Sequence, residues 1–189
     1  MSKLTHPIIE GIKSILSNPI EISDIEIDQD FLTKVEVMAK NIYARDQSSR
    51  TLSQIEANCF LGKYGEHAIC SRLIKSGLNV IWNDEDVSLQ YSWDVQVEGL
   101  KLELKYQKFD NRWLSFSSER KYAKAIESWR SYDLVLAWRE KEGSVYPWIL
   151  ADSEVMSIDR GLFVPSNFSG RYLRMEQAQA AGLLVYLVK

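Results

Sequence analysis

Asp94, Glu103 and Lys105 are the residues of this chain whose types and spacing most plainly suggest chemistry. They lie in residues 92–107, SWDVQVEGLKLELKYQ, where polar and apolar side chains alternate. A two-residue turn at Glu98-Gly99 sets Val97 against Leu100, Gln96 against Lys101, Val95 against Leu102 and Asp94 directly opposite Glu103. Period-two alternation then gives one face Trp93, Val95, Val97, Leu100, Leu102, Leu104 and Tyr106. The other face receives Ser92, Asp94, Gln96, Lys101, Glu103, Lys105 and Gln107. Two carboxylates facing each other with β-carbons about 5 Å apart repel unless a cation intervenes. A divalent metal would reverse that cost. The other reading is a solvated strand face neutralised by Lys101 and Lys105.

Upstream, a further carboxylate stands out. At 100° per residue, Glu66 falls within the stripe formed by Ile55, Cys59, Cys70 and Leu73. A carboxylate in an apolar stripe is costly unless it is paired or binds metal. A side chain that snorkels past the helix edge, or a break at Gly62 and Gly65, would remove the anomaly.

The elements that must position these groups can be read from periodicity. Ile8, Ile9, Ile12, Ile15 and Leu16 predict one helix over 6–17; Phe31, Val35, Met38, Ala39, Ile42 and Tyr43 predict a second. The polar stretch RDQSSRT interrupts the pattern. Ser53 with Glu56 then forms a capping box for a helix over about 54–76, with Gly77 as its stop and Gly62 and Gly65 as places for a kink. From residue 78 to 150 the pattern turns to strands: LNVIW, SLQYSWDVQV, LKLELKYQ and RWLSFS. A helix, SERKYAKAIESWRS, follows, then the strands YDLVLAW and VYPWIL. YDLVLAW, almost continuously apolar, suits a central strand buried on both faces. All six tryptophans lie between Trp82 and Trp148, which places the main core there. In the tail, EQAQAAG reads as a short helix and LLVYLVK as a terminal strand covering one sheet edge or a partner.

A chain of 189 residues with 46% hydrophobic content suits one domain with additions. Three segments are expected: an N-terminal helical addition over 1–52, a core over 53–150, and a C-terminal extension of the same domain over 151–189. No signal peptide and no apolar run near the roughly 18 residues of a membrane span are visible, so the expected location is cytoplasmic. Cys59 and Cys70 have no CxxC or Cys/His spacing, which argues against a disulfide framework or structural zinc and for buried thiols. A net charge of −3 confines any nucleic-acid contact to a local patch.

An acidic residue on a helix, then a hairpin with Asp on one strand and Glu-x-Lys on the next, then a helix and two strands, resembles the PD-(D/E)xK nucleases, the restriction-endonuclease-like superfamily. The matching residues are Glu66, Asp94, Glu103 and Lys105, and the resemblance covers about residues 53–150. Trp93 replaces the motif's proline, at a position that does no chemistry. A second set with the same spacing, Asp110, Glu119 and Lys121, fails on geometry. Glu119 begins a helix, where residues i and i+2 point apart, and Asp110 sits in a turn.

The resemblance implies an α/β fold with a restriction-endonuclease-like core, a mixed central sheet carrying the hairpin, and added N-terminal helices. It implies Mg²⁺, with Mn²⁺ able to substitute, held by Asp94, Glu103, Glu66 and the carbonyl of Leu104. Lys105 would hold the attacking water or stabilise added negative charge. The implied activity is hydrolysis of DNA by an endonuclease of restriction, phage or repair type, without an organic cofactor or membrane, and with a homodimer as one assembly. Lys63, His67, Gln107, Lys108, Arg120, Lys121 and Lys124 are the expected contacts to nucleic acid, with Arg112 and Arg130 as further basic residues nearby. A catalytically inactive nucleic-acid- or protein-binding module on the same fold is the alternative.

Overall fold

The computed structural model describes residues 2–45, 49–82, 93–116, 119–167 and 170–188. Two helices, α1 (Ile8–Ile15) and α2 (Gln29–Tyr43), precede the long helix α3 (Leu52–Lys75). Asp28 caps α2 by accepting the Phe31 N–H at 2.8 Å. The capping box of α3 sits two residues earlier than expected. Thr51 Oγ1 accepts the Gln54 N–H, and Gln54 Oε1 accepts the Thr51 N–H at 2.8 Å. Threonine and glutamine can form the same kind of box as serine and glutamate, so the sequence contains two overlapping boxes and the earlier one starts the helix. Gly77, at φ +86°, ends it by taking the left-handed conformation that other residues avoid.

The helix stays continuous through both of its internal glycines. Gly65 serves close approach: a Cβ built there would overlap the Trp138 ring. It lets α3 settle against the sheet.

That sheet has six strands in the order β1 (Val80–Trp82), β2 (Val95–Val97), β3 (Leu100–Gln107), β5 (Leu134–Lys141), β6 (Ser144–Asp152), β9 (Leu184–Tyr186). It is mixed, because β3 and β5 run parallel and the other pairs antiparallel. Strands β4 (Ser115–Phe116), β7 (Phe163–Pro165) and β8 (Arg171–Leu173) form a second, small sheet; β4 falls within the expected strand RWLSFS, while the sequence pattern did not reveal β7 and β8. Helix α4 (Glu119–Ser128) lies between β4 and β5, and α5 (Met175–Ala180) precedes β9, which covers an edge of the large sheet as expected.

The hairpin register is the expected one: Val95 pairs Leu102, Gln96 pairs Lys101 and Val97 pairs Leu100. Glu98 and Gly99 have φ of 49° and 88°, the two positive values of a type I′ turn. A glutamate is tolerated there because Asn79, the residue before β1, holds it. Its carboxylate accepts the Asn79 N–H at 2.7 Å, and its own N–H donates to the Asn79 carbonyl at 2.9 Å.

Alternation on the central strands divides two cores. Leu102, Leu104, Leu134, Leu136 and Trp138 pack with α1, α2 and α3 on one face. Val135, Ala137, Ile149 and Ala151 pack on the other with α5, the small sheet and Val155. β5 is therefore buried on both faces, as its unbroken apolar run required. One departure concerns Trp93, which packs toward the second core although alternation assigned it to the first. The strand begins only at Val95 and Asp94 is a bend, so the period-two rule does not reach Trp93. Residues 88–92 of the expected strand, Ser92 among them, lie outside the described residues. Among those described, no helix is long and apolar enough to cross a membrane.

Candidate active site

The polar side of β3 faces α4 across a cleft of about 640 Å³. Glu103, Lys105 and Gln107 come from the strand, Lys121, Lys124, Ala125 and Ser128 from α4, and Lys108, Asn111 and Ser115 from the connection between them. Strand geometry explains the convergence: residues i and i+2 share a face, so Glu103 and Lys105 stand side by side while Leu102 and Leu104 hold the strand to the core. Their carboxylate and ammonium form an ion pair.

Asp94 joins them from the hairpin's other strand. Its N–H donates to the Leu102 carbonyl at 3.0 Å and its Oδ2 accepts the Leu104 N–H at 2.6 Å, which fixes the carboxylate against β3. It lies close enough to Glu103 for charge and a side-chain hydrogen bond between the two to matter. Burial raises the Glu103 pKa to about 7, with Asp94 adding to the shift and Lys105 opposing it. For Lys105, burial alone would lower the pKa; the neighbouring charges of Glu103, Asp94 and Glu66 outweigh it and the net shift is upward. The lysine is thereby kept as an ammonium at neutral pH.

Glu66, on α3, is largely buried and ion-paired with Lys63 at 2.6 Å. It resolves the expected anomaly of a carboxylate in an apolar stripe by pairing, and its charge still reaches Lys105. Among the described residues, no three His, Cys, Asp or Glu side chains gather as a metal cage. Mg²⁺ usually takes only one or two protein carboxylates, with water and phosphate completing its shell. The paired oxygens of Asp94 and Glu103, whose mutual repulsion is answered by one ammonium, fit such an ion.

The expected nucleic-acid contacts divide. Lys108, Lys121 and Lys124 line the cleft. Gln107 also lines it, yet its amide is engaged in architecture: Oε1 accepts from the Ser115 N–H, the Ser115 hydroxyl and Asn111 Nδ2, and Nε2 donates to the Ser115 carbonyl. It shapes the cleft wall. Lys63 is turned to Glu66. His67 is packed between Phe31 and Trp82, with Nε2 2.7 Å from the Glu26 carbonyl, as a structural histidine would be. Arg120 is exposed on α4 outside the cleft lining. The second set of the same spacing stays apart: Glu119 pairs with Arg171 at 3.1 Å, and of the three only Lys121 lines the cleft.

Sequence reasoning missed Tyr132. Its buried phenol is pushed well above its ordinary pKa, by burial first and then by the charges of Glu103 and Asp94, which act on it. It precedes β5 by two residues, and its nearness to β3 comes from the parallel β3–β5 pairing, which no local pattern announces.

A family model described as bacteriophage T4 endonuclease IV matches residues 5–175 of the chain. No curated protein matches it.

Proposed function

This chain belongs to the bacteriophage T4 endonuclease IV family, a family of nucleases, and from that premise we propose that it is a Mg²⁺-dependent endonuclease that hydrolyses phosphodiester bonds in DNA through a PD-(D/E)xK-type centre. The observation that carries the reading is the pairing of Glu103 and Lys105 in a cleft also lined by Lys108, Lys121 and Lys124, with the Asp94 carboxylate held against the same strand beside Glu103. Two carboxylates next to an ammonium, facing cations, are what a phosphate ester and its metal require.

In this reading Asp94 and Glu103 hold the ion, with the Leu104 carbonyl and Glu66 as the further ligands the superfamily resemblance implies. When bound, Mg²⁺ supplies an acidified water and neutralises charge on the phosphorane. Lys105 orients the attacking water or takes up the negative charge that develops as the new P–O bond forms and the old one breaks. The Leu104 N–H keeps the Asp94 carboxylate aimed at Glu103, so the pair is organised before substrate arrives. Lys108, Lys121 and Lys124 pair with the phosphates of the strand.

The test is incubation of supercoiled plasmid, linear duplex, single-stranded DNA and RNA with the protein in Mg²⁺, Mn²⁺ or EDTA, with Lys105→Ala alongside. Cutting of DNA that needs the metal and disappears in the variant is the expected result. Cutting that persists in EDTA would remove the metal, and cutting that persists in Lys105→Ala would remove the assigned centre. DNA binding without hydrolysis under every condition would favour a binding module on this fold.

A further inference from the structure

A second cleft, of about 680 Å³, lies beside the first, and no part of the proposed hydrolysis uses it. Trp113 is 51% exposed at its mouth and contacts Tyr172 with ring centroids 5.6 Å apart. Arg112 and Arg174 flank the aromatic pair and outnumber the Glu176 carboxylate. A large indole left half in solvent, with a second ring behind it and two guanidiniums beside it, is costly as mere surface. It has the composition of a site for a flat, anionic ligand.

The two clefts are neighbours by construction. Ser115 lines the first and pairs directly, across the β4–β8 ladder, with Tyr172 of the second. Paired strands lie about 5 Å apart. Residues 108–113 also run from one to the other, with Lys108 and Asn111 in the first and Arg112 and Trp113 in the second. This connection is anchored: Arg139 donates to the Asn111 carbonyl while its guanidinium lies 3.4 Å from the centroid of the Trp148 ring. The cationic wall of the first cleft thus continues into Arg112.

We propose that the second cleft is a nucleotide-binding subsite, in which one nucleotide of the DNA strand lying in the first cleft places its base on Trp113 and a phosphate between Arg112 and Arg174. The inference rests on the nuclease reading, because it takes the occupant of the first cleft to be a DNA strand. Grip on a nucleotide away from the reacting phosphate is made equally in ground and transition states, so it governs binding more than turnover.

The experiment compares wild type, Trp113→Ala, Trp113→Phe and the double variant Arg112→Ala/Arg174→Ala. Each binds a fluorescein-labelled deoxyoligonucleotide by anisotropy, in the Lys105→Ala background, and each is assayed for cleavage with Lys105 intact. A set of the same oligonucleotide with one abasic position moved along it locates the stacked base. Trp113→Ala should bind roughly 5- to 150-fold more weakly, the span that loss of one base–aromatic stack produces. Trp113→Phe should recover most of that loss. One abasic position should weaken the parent and leave Trp113→Ala unaffected, the coupling expected of two groups in contact. The arginine variant should lower the salt dependence of binding, and KM should rise with kcat kept.

Equal binding by Trp113→Ala and parent, or an abasic effect that persists in Trp113→Ala, would overturn the subsite while cleavage by wild type left the nuclease reading standing. A wild type that neither binds nor cuts DNA would overturn both. Because Trp113 is half exposed, circular dichroism should show each variant folded; an unfolded Trp113→Ala would itself contradict the surface role given to the ring.

Discussion

Gly65 of α3 lies against the ring of Trp138 on β5, with no room between them for a methyl group. Trp138 is almost fully buried and also contacts Tyr106 at a centroid distance of 4.9 Å, so the contact joins α3, β5 and β3 at one point. Glu66 is the next residue along the helix. The close approach that only glycine permits therefore also sets how near the Glu66 charge comes to Lys105.

Gly65→Ala should consequently destabilise the protein, even though alanine is the better helix former by about 1 kcal/mol. Overpacking a filled core costs about 1–3 kcal/mol, which exceeds that gain. Urea unfolding should show a lower midpoint, and an unchanged or raised midpoint would refute the contact.

Glu103→Gln should abolish metal-induced stabilisation. The wild-type melting temperature should rise as Mn²⁺ or Mg²⁺ is titrated in, because a ligand that binds only the folded state stabilises it. Without the Glu103 charge the rise should vanish. Equal rises in both proteins would place the ion elsewhere.

Lys121→Ala and Lys124→Ala should each weaken DNA binding across sequences and reduce the slope of log K against log salt by about 1. Both residues line the cleft and are solvent-exposed, so folding should be unaffected. Arg120→Ala, outside the cleft, should change the slope less. A larger loss at Arg120 would mean that the strand crosses a different face of the helix.

Asp133 gives a pH prediction. Burial alone would raise its pKa, but the N–H of Lys101 at 2.9 Å and the ammonium of Lys3 outweigh it, and the net shift is downward. A carboxylate with a lowered folded-state pKa adds stability that is fully present above its unfolded value, about 3.9, and is lost as pH falls through the folded one. Asp133→Asn should therefore be less stable than wild type near neutral pH, and the gap should close on acidification below that value. A gap independent of pH would show that the charge contributes nothing.

Leu102→Asp should prevent folding, because Leu102 is fully buried where β2, β3 and β5 meet. A cooperative unfolding transition at wild-type midpoint would show that the hairpin register is wrong.

What the sequence determined by itself was local. Alternation in LKLELKYQ set which residues of β3 enter the core, and Glu98-Gly99 set the register, so the neighbourhood of Asp94, Glu103 and Lys105 followed from a period of two and a two-residue turn. The stripe of α3 likewise singled out Glu66. Tertiary structure decided everything that depends on pairing distant segments. The parallel ladder of β3 with β5 brought Tyr132 within reach of the carboxylates' charges, and the packing of α4 set Lys121 and Lys124 along the cleft while leaving Arg120 outside it. His67, equal to Lys63 in the sequence as a phosphate contact, was claimed by Phe31 and Trp82. Of the small sheet only β4 was legible, within RWLSFS, because β7 and β8, of three residues each, are too short to show a period. Yet it is this sheet that sets Tyr172 beside Ser115 and makes the second cleft. Short-range sterics and hydrophobic alternation are written into neighbouring residues, whereas the partners of a polar side chain are chosen only when the chain has closed around it.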